Sequence, residues 1–384
     1  MPHWTLTTLA LLAFTALIVF IFAAWAHLRF WTRRLTLSLE YASAEQIITP
    51  DGATIELRRV PIPEAAAKVE LPPVLLVHGI GANHRNQDLH PDFSLARYLA
   101  ARGRDVWLLT LRSGLRPRRR ADRQRVRFGA MVEIDLPVAV RGVLERTSAA
   151  ALDYVGFSMG GMLLYAAIGR SVPEALIRRV VIVGSPGSVG VARWMRPLLR
   201  LVPRALVPTM RFRLGAAGIA FASEWLRTPF HAFTINPGNV AKGITRAALM
   251  NLIEDIPGPL NADFVEWAGA DGEIRTTRGA ALAGLPGVGT PALFLAGTAD
   301  KLAPILSVKR AFDAWGKDLP QTTKRFVTVG RTHGHAQDYG HGDLAIGTSV
   351  AVDLFAPIAS FLEEDLAVIT ADTVAAASVG DREG

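Results

Sequence analysis

The chain has 384 residues, half of them apolar, no cysteine, and a formal net charge of +8. That length supports one large α/β domain with an insertion, or two domains. Without cysteine, disulfides and thiol nucleophiles are excluded, while a reducing and an oxidising compartment remain equally open. No metal-ligand spacing is visible, so neither a metal nor an organic cofactor is expected.

Leu6 to Ala26 contains no charged residue and would span roughly 30 Å as a helix. Trp4, Trp25 and Trp31 fall where an aromatic belt would lie. A signal peptide cleaved near Ala24-Trp25-Ala26 is the alternative. However, no Lys or Arg precedes the segment, and it exceeds the usual apolar core of such peptides, roughly 7–15 residues. Residues 1–34 are therefore expected to form an uncleaved single-pass anchor with a basic flank of Arg29, Arg33 and Arg34. The positive-inside rule then puts the flank and the catalytic domain in the cytoplasm, with export as the alternative.

Gln46–Thr49 and Thr54–Arg59 flank Pro50-Asp51-Gly52, a hairpin signal. Further strands are expected at Val74–His78, Val106–Leu109, Leu152–Phe157, Val180–Gly184, Ala292–Ala296 and Phe326–Val329. Helix-like stretches at Ser94–Ala101, Met131–Thr147 and Leu302–Trp315 lie between them. The alternation predicts an α/β fold: a mostly parallel eight-stranded sheet covered on both faces. About a hundred residues separate Gly184 from Ala292, far more than a crossover needs. The expected organisation is a core over residues 45–184 and 291–364, a helical cap over 185–290, and a flexible tail over 371–384.

Four segments carry chemistry. Gly156-Phe157-Ser158-Met159-Gly160 joins a strand to a helix, the layout of a nucleophile elbow. Gly156 and Gly160 are expected for steric reasons, since side chains there would collide with the strained turn at Ser158. Val74 to His78 ends in His-Gly upstream of the serine, where an oxyanion hole belongs. Its two donors would be the backbone N–H groups of Ile80 and Met159. His78 itself is expected to be a hydrogen-bonded structural residue. The strand Ala292–Ala296 leads into Gly297-Thr298-Ala299-Asp300, which places a carboxylate at the carboxyl edge of the sheet. Asp300 is the expected orienting acid, a helix-capping aspartate being the alternative. After the last strand come His333, His335 and His341, all in a loop able to supply the general base.

The string Asp338-Tyr339-Gly340-His341-Gly342-Asp343-Leu344 resembles the Tyr-x-His-x-Asp segment around the catalytic histidine of acid and gastric lipases and related bacterial hydrolases. That resemblance selects His341 over His333 and His335. Residues from His78 through Ser94-Leu95-Ala96 and Asp105-Val106-Trp107-Leu108 to Arg112 resemble the matching segment of acid lipases. There a glycine usually follows the arginine directly, whereas here Ser113 intervenes before Gly114. The likeness to the α/β-hydrolase superfamily runs from about Glu45 to about Glu364, and the order Ser158, Asp300, His341 matches it.

Ten arginines against two aspartates lie between Arg102 and Arg127, a local +8 that equals the charge of the whole chain. The loop carrying Arg116 to Arg127 leaves the sheet at its carboxyl edge, and its two readings are a solvated loop or attraction to anionic lipid head groups. Nucleic acid is not expected as a partner, for want of aromatic interleaving or a binding motif. In the cap, Val191 to Arg213 mixes Trp194, Leu198 and Leu201 with Arg193, Arg196, Arg200, Arg204, Arg211 and Arg213, and Pro197, Pro203 and Pro208 break it into short pieces. Such a segment can lie on a membrane, cover an apolar acyl site, or simply pack on the core. The combined expectation is a membrane-anchored serine hydrolase acting on lipid-like esters. An acyltransferase, thioesterase or amidase with the same triad, or a non-catalytic scaffold of the same fold, is the alternative.

Overall fold

The structure, a computed structural model, describes residues 5–66, 71–115, 120–226 and 233–364. The tail 371–384 and Arg116, Arg118 and Arg119 lie outside the described residues.

Eight strands form one sheet. They are β1 (Ser43–Ile48), β2 (Thr54–Arg59), β3 (Val74–Val77), β4 (Val106–Thr110), β5 (Leu152–Phe157), β6 (Ile177–Val183), β9 (Ala292–Gly297) and β10 (Lys324–Val329). A separate two-stranded hairpin, β7 (Arg275–Thr276) with β8 (Gly279–Ala280), lies between β6 and β9. The main sheet runs β1-β2-β4-β3-β5-β6-β9-β10; β1–β2 and β2–β4 pair antiparallel, and every other pair is parallel. β3, β4, β5 and β9 are buried along their whole length, so they read as unbroken apolar runs rather than alternating ones.

Helices before β6 are α1 (Leu6–Leu35), α2 (Leu95–Ala100), α3 (Arg120–Gln124), α4 (Phe128–Ala130), α5 (Leu136–Thr147) and α6 (Met159–Ala167). Between β6 and β9 come α7 (Arg196–Arg200), α8 (Phe212–Ile219), α9 (Ile244–Asn251) and α10 (Gly258–Gly269). After β9 follow α11 (Ile305–Ala314), α12 (Asp343–Ile346) and α13 (Ala356–Glu363). One face of the sheet packs on Val140, Leu163 and Val308 from α5, α6 and α11. The other packs on Leu99, Leu344 and Phe361 from α2, α12 and α13. Two expected helices shift at their starts. α11 begins after Pro304 rather than at Leu302, because the proline takes the capping position and residues 300–303 turn around Asp300. The helix expected from Met131 opens with a wide turn over Met131–Asp135 before α5.

α1 is 30 residues long and apolar, and no residue of its most apolar window is buried. Its last turns touch the segment between β6 and β9. Trp31 stacks on Phe221 at 5.6 Å between ring centroids, and His27 meets the same ring edge-on at 4.6 Å.

Candidate active site

β5 delivers the chain to Ser158, whose backbone sits at φ 54° and ψ −118°. Positive φ at a non-glycine residue costs on the order of 1–3 kcal/mol and persists only where surroundings enforce it. Here the neighbouring glycines do so. A Cβ on Gly156 would lie 2.6 Å from the Gly161 nitrogen, and one on Gly160 would drive into the Val77 carbonyl. The side chain of Ser158 therefore projects from the tip of the turn, with the first turn of α6 beneath it.

Two other strand ends converge on that hydroxyl. His341 Nε2 is 2.9 Å from Ser158 Oγ, and His341 Nδ1 is 2.8 Å from Asp300 Oδ2. The other oxygen of Asp300 accepts from the amides of Leu302 and Ala303, at 2.9 and 2.8 Å. The aspartate thus both closes a turn ahead of α11 and faces the imidazole. A carboxylate only accepts, so the imidazole proton belongs on Nδ1, leaving Nε2 free to take one from the hydroxyl. All three residues are at most 8% exposed. His333 and His335 are elsewhere: His333 lies beside Thr332, and His335 Nδ1 lies beside the Gly330 backbone.

The loop after β3 lies against the serine. A Cβ on Gly79 would be 3.0 Å from Ser158 Cβ. Met159 opens α6, so its N–H has no intrahelical acceptor and points outward. Ile80 follows Gly79 on the facing loop. His78 is structural: Nε2 accepts from the Leu111 amide at 3.1 Å and Nδ1 donates to Gly79 O at 2.7 Å. Burial pushes its pKa down to about 4, so the ring is neutral at pH 7 and serves as a fixed strut. Gly114 faces that ring, where a Cβ would come within 2.7 Å of Nε2. This accounts for a glycine two residues after Arg112.

Several supporting residues escape a sequence reading. Asp343 accepts from Asn236 N at 2.9 Å, Asn239 Nδ2 at 2.6 Å and Gly340 N at 3.0 Å, joining the histidine loop to the segment before α9. Burial raises its pKa against those hydrogen bonds. The Tyr339 hydroxyl donates to Asp353 at 2.8 Å. These pairs are separated by 104 and 14 residues, with no local motif to reveal them.

The arginines ahead of the loop that starts at residue 116 are paired. Arg104 is fully buried and pairs with Asp153. Arg112, 3% exposed, binds Asp51 and Asp135 together. Arg102 pairs with Glu363. Arg123, Arg125 and Arg127 are exposed. Between β6 and β9, Arg200 donates to Gly269 O at 2.7 Å and Arg204 pairs with Asp263 and Glu266, so these two serve packing within that segment. Trp194, Leu198, Leu201, Leu206, Leu214 and Trp225 are exposed.

A family model described as the alpha/beta hydrolase fold matches residues 72–206. The chain is 29% identical over 174 residues to the gastric triacylglycerol lipase of Homo sapiens, covering 42% of this chain and 43% of that one. It is 30% identical over 145 residues to lipase member M of Mus musculus, covering 35% and 34%. The alignments thus span less than half the length of these curated relatives. Among solved structures, an esterase from Rhodococcus sp. ECU1013 superposes with a TM-score of 0.51 at 15% identity, covering 84% of this chain and 99% of that one. A membrane phospholipase A, titled a bacterial virulence factor, gives 0.50 at 18%, covering 93% and 97%. The strand order, the elbow and these matches make this an α/β-hydrolase-fold protein. Within that class it is of the lipase/esterase-like kind.

Proposed function

We propose that the protein is a serine hydrolase that cleaves carboxylic esters, with Ser158 as nucleophile, His341 as general base and then acid, and Asp300 as the orienting acid. The observation that carries this reading is the unbroken hydrogen-bonded line from Asp300 through His341 to the Ser158 hydroxyl. Ser158 Oγ attacks the ester carbonyl while its proton passes to His341 Nε2. The amides of Ile80 and Met159 stabilise the resulting oxyanion, each worth roughly 3–4 kcal/mol in comparable sites. His341 returns the proton to the departing alcohol, and water then frees the acid by the same route in reverse. No step calls for a metal or an organic cofactor.

Lipid-like esters are the substrate class we favour. The named lipase relatives, the apolar α1 and the exposed tryptophans and leucines of the segment between β6 and β9 all support it. We read α1 as a membrane anchor, residues 45–184 and 291–364 as the hydrolase core, and 185–290 as its cap. Arg33 and Arg34 in the last turn of α1 favour a cytoplasmic catalytic domain. The exposed Arg123, Arg125 and Arg127 suit contact with anionic head groups.

The test is labelling with a fluorophosphonate probe. Wild type should label, and Ser158→Ala and His341→Ala should not. Labelling lost only in Ser158→Ala would transfer the base role to His333 or His335, and a folded wild type that stays unlabelled would refute the assignment. For the lipid reading, a form lacking residues 1–26 should lose turnover on vesicles yet keep it on a soluble short-chain ester. Equal loss on both would count against it.

A further inference from the structure

The end of α1 is joined to the loop that carries Ile80 through Asn251, at the end of α9, and through Arg85. Its Nδ2 donates to Leu35 O at 2.9 Å and to Ala247 O at 2.8 Å, while Oδ1 accepts from Leu37 N at 2.9 Å. Both of its amide protons are thereby used. Its own backbone carbonyl accepts from Asn83 Nδ2 at 3.0 Å.

Asn83 extends the connection into the loop. The same Nδ2 donates to Glu254 Oε1 at 3.0 Å, and Oδ1 accepts from Arg85 N at 2.9 Å. Arg85 then reaches back to Leu37 O at 2.7 Å, closing a ring of contacts. Beside it, Glu254 N donates to Gly81 O at 2.8 Å, and Ala82 forms a bridge with Ile253. On the other side of Ile80, Gly79 N donates to Asn86 Oδ1 at 3.1 Å. The Ile80 peptide is thus held at both flanks, by its own loop on one side and by residues 251–254 on the other.

A tether needs none of this: a helix that merely holds an enzyme at a bilayer can leave through a slack linker. A donor that must meet a developing oxyanion does need fixing in advance, because reorganisation during the reaction forfeits its benefit. We propose that Asn251 is a positioning residue for the Ile80 amide, and that the exit of α1, through Leu35 and Leu37, is part of that positioning. The inference rests on the ester-hydrolase reading above. Asn251 touches no reacting atom; it acts by fixing the loop.

The experiment uses the full-length protein in detergent, a soluble short-chain ester, and its thionoester, in which sulfur replaces the carbonyl oxygen. Sulfur accepts backbone hydrogen bonds poorly, so the thionoester reports little on these donors. Rates are normalised to fluorophosphonate-titrated sites. Asn251→Ala should lower kcat on the oxoester about tenfold with KM within twofold, and should change the thionoester rate much less. Arg85→Met, which removes the contact to Leu37 from the loop side, should show the same selective loss, and it serves if Asn251→Ala does not fold. Unchanged oxoester kcat per titrated site, or equal losses on both substrates, would overturn the proposal. A wild type inactive on the oxoester would instead overturn the hydrolase reading on which it rests.

Discussion

Replacing Gly156 by alanine tests whether the elbow is a precision part. The added Cβ would lie 2.6 Å from the Gly161 nitrogen, 2.7 Å from Gly161 Cα and 2.9 Å from the Gly160 carbonyl carbon, all of them backbone atoms at the start of α6. Backbone atoms cannot rotate aside as a side-chain tip can. Non-bonded carbon contacts settle at roughly 3.5 Å, so β5 and α6 must part by on the order of 1 Å. The serine lies between them in the chain and must move too. Overpacking of this sort costs about 1–3 kcal/mol of stability. A 1 Å misplacement of reacting groups can cost roughly a hundredfold in rate. The expected result is a folded protein whose kcat/KM on a soluble ester falls about 10- to 100-fold. The assay is steady-state hydrolysis alongside thermal unfolding. Gly129→Ala is the control, since nothing lies within 4 Å of a Cβ there, and it should be neutral. Gly156→Ala activity within threefold of wild type would refute the reasoning.

Other perturbations probe other layers. Asp300→Asn should lower kcat by roughly 10⁴, the size of the same change in a serine protease, with little effect on unfolding; stopped turnover assays would show it. Arg104→Met leaves fully buried Asp153 with Arg178 as its remaining cation. Stability should fall by about 3 kcal/mol, read as a drop in Tm on the order of 10 °C. At Asp51, burial raises the pKa, but hydrogen bonds from Arg112 and Thr49 and the guanidinium charge outweigh it and hold the pKa at about 2, against an ordinary 3.8. A depressed folded-state pKa favours the ionised fold. Its contribution, about 1–2 kcal/mol after solvent screening, is therefore full above pH 4 and disappears as pH falls through about 2. Unfolding of Asp51→Asn beside wild type across that range should show the gap closing; a constant gap would exclude the linkage.

How far the sequence speaks depends on how local each feature is. The elbow is legible because strand, glycines, serine and helix are consecutive, and their sterics are intrinsic to the turn. Asp300 is legible because it ends a strand. His341 is distinguished from His333 and His335 only by the flanking Tyr339 and Asp343, whose purposes the structure makes plain: one anchors to Asp353, the other to Asn236 and Asn239. The arginines show that charge in a sequence says nothing about burial. Arg104 and Arg112 find their partners 49, 23 and 61 residues away, at Asp153, Asp135 and Asp51. The same holds for Asn83 and Asn251, which are 168 residues apart and look like ordinary loop and helix residues until the fold brings them together.

The bonds of Asp343 have a mechanical consequence. The histidine loop hangs from the segment before α9: Gly342 N donates to Thr234 O at 2.7 Å, and Asp343 takes hydrogen bonds from Asn236 and Asn239. Asn236 and Asn239 also donate to Asp338 O, and Thr348 N donates to Asn239 O, so lifting residues 234–239 would drag His341 away from Ser158 or break at least six hydrogen bonds. Any opening that keeps His341 beside Ser158 must therefore leave that stretch in place.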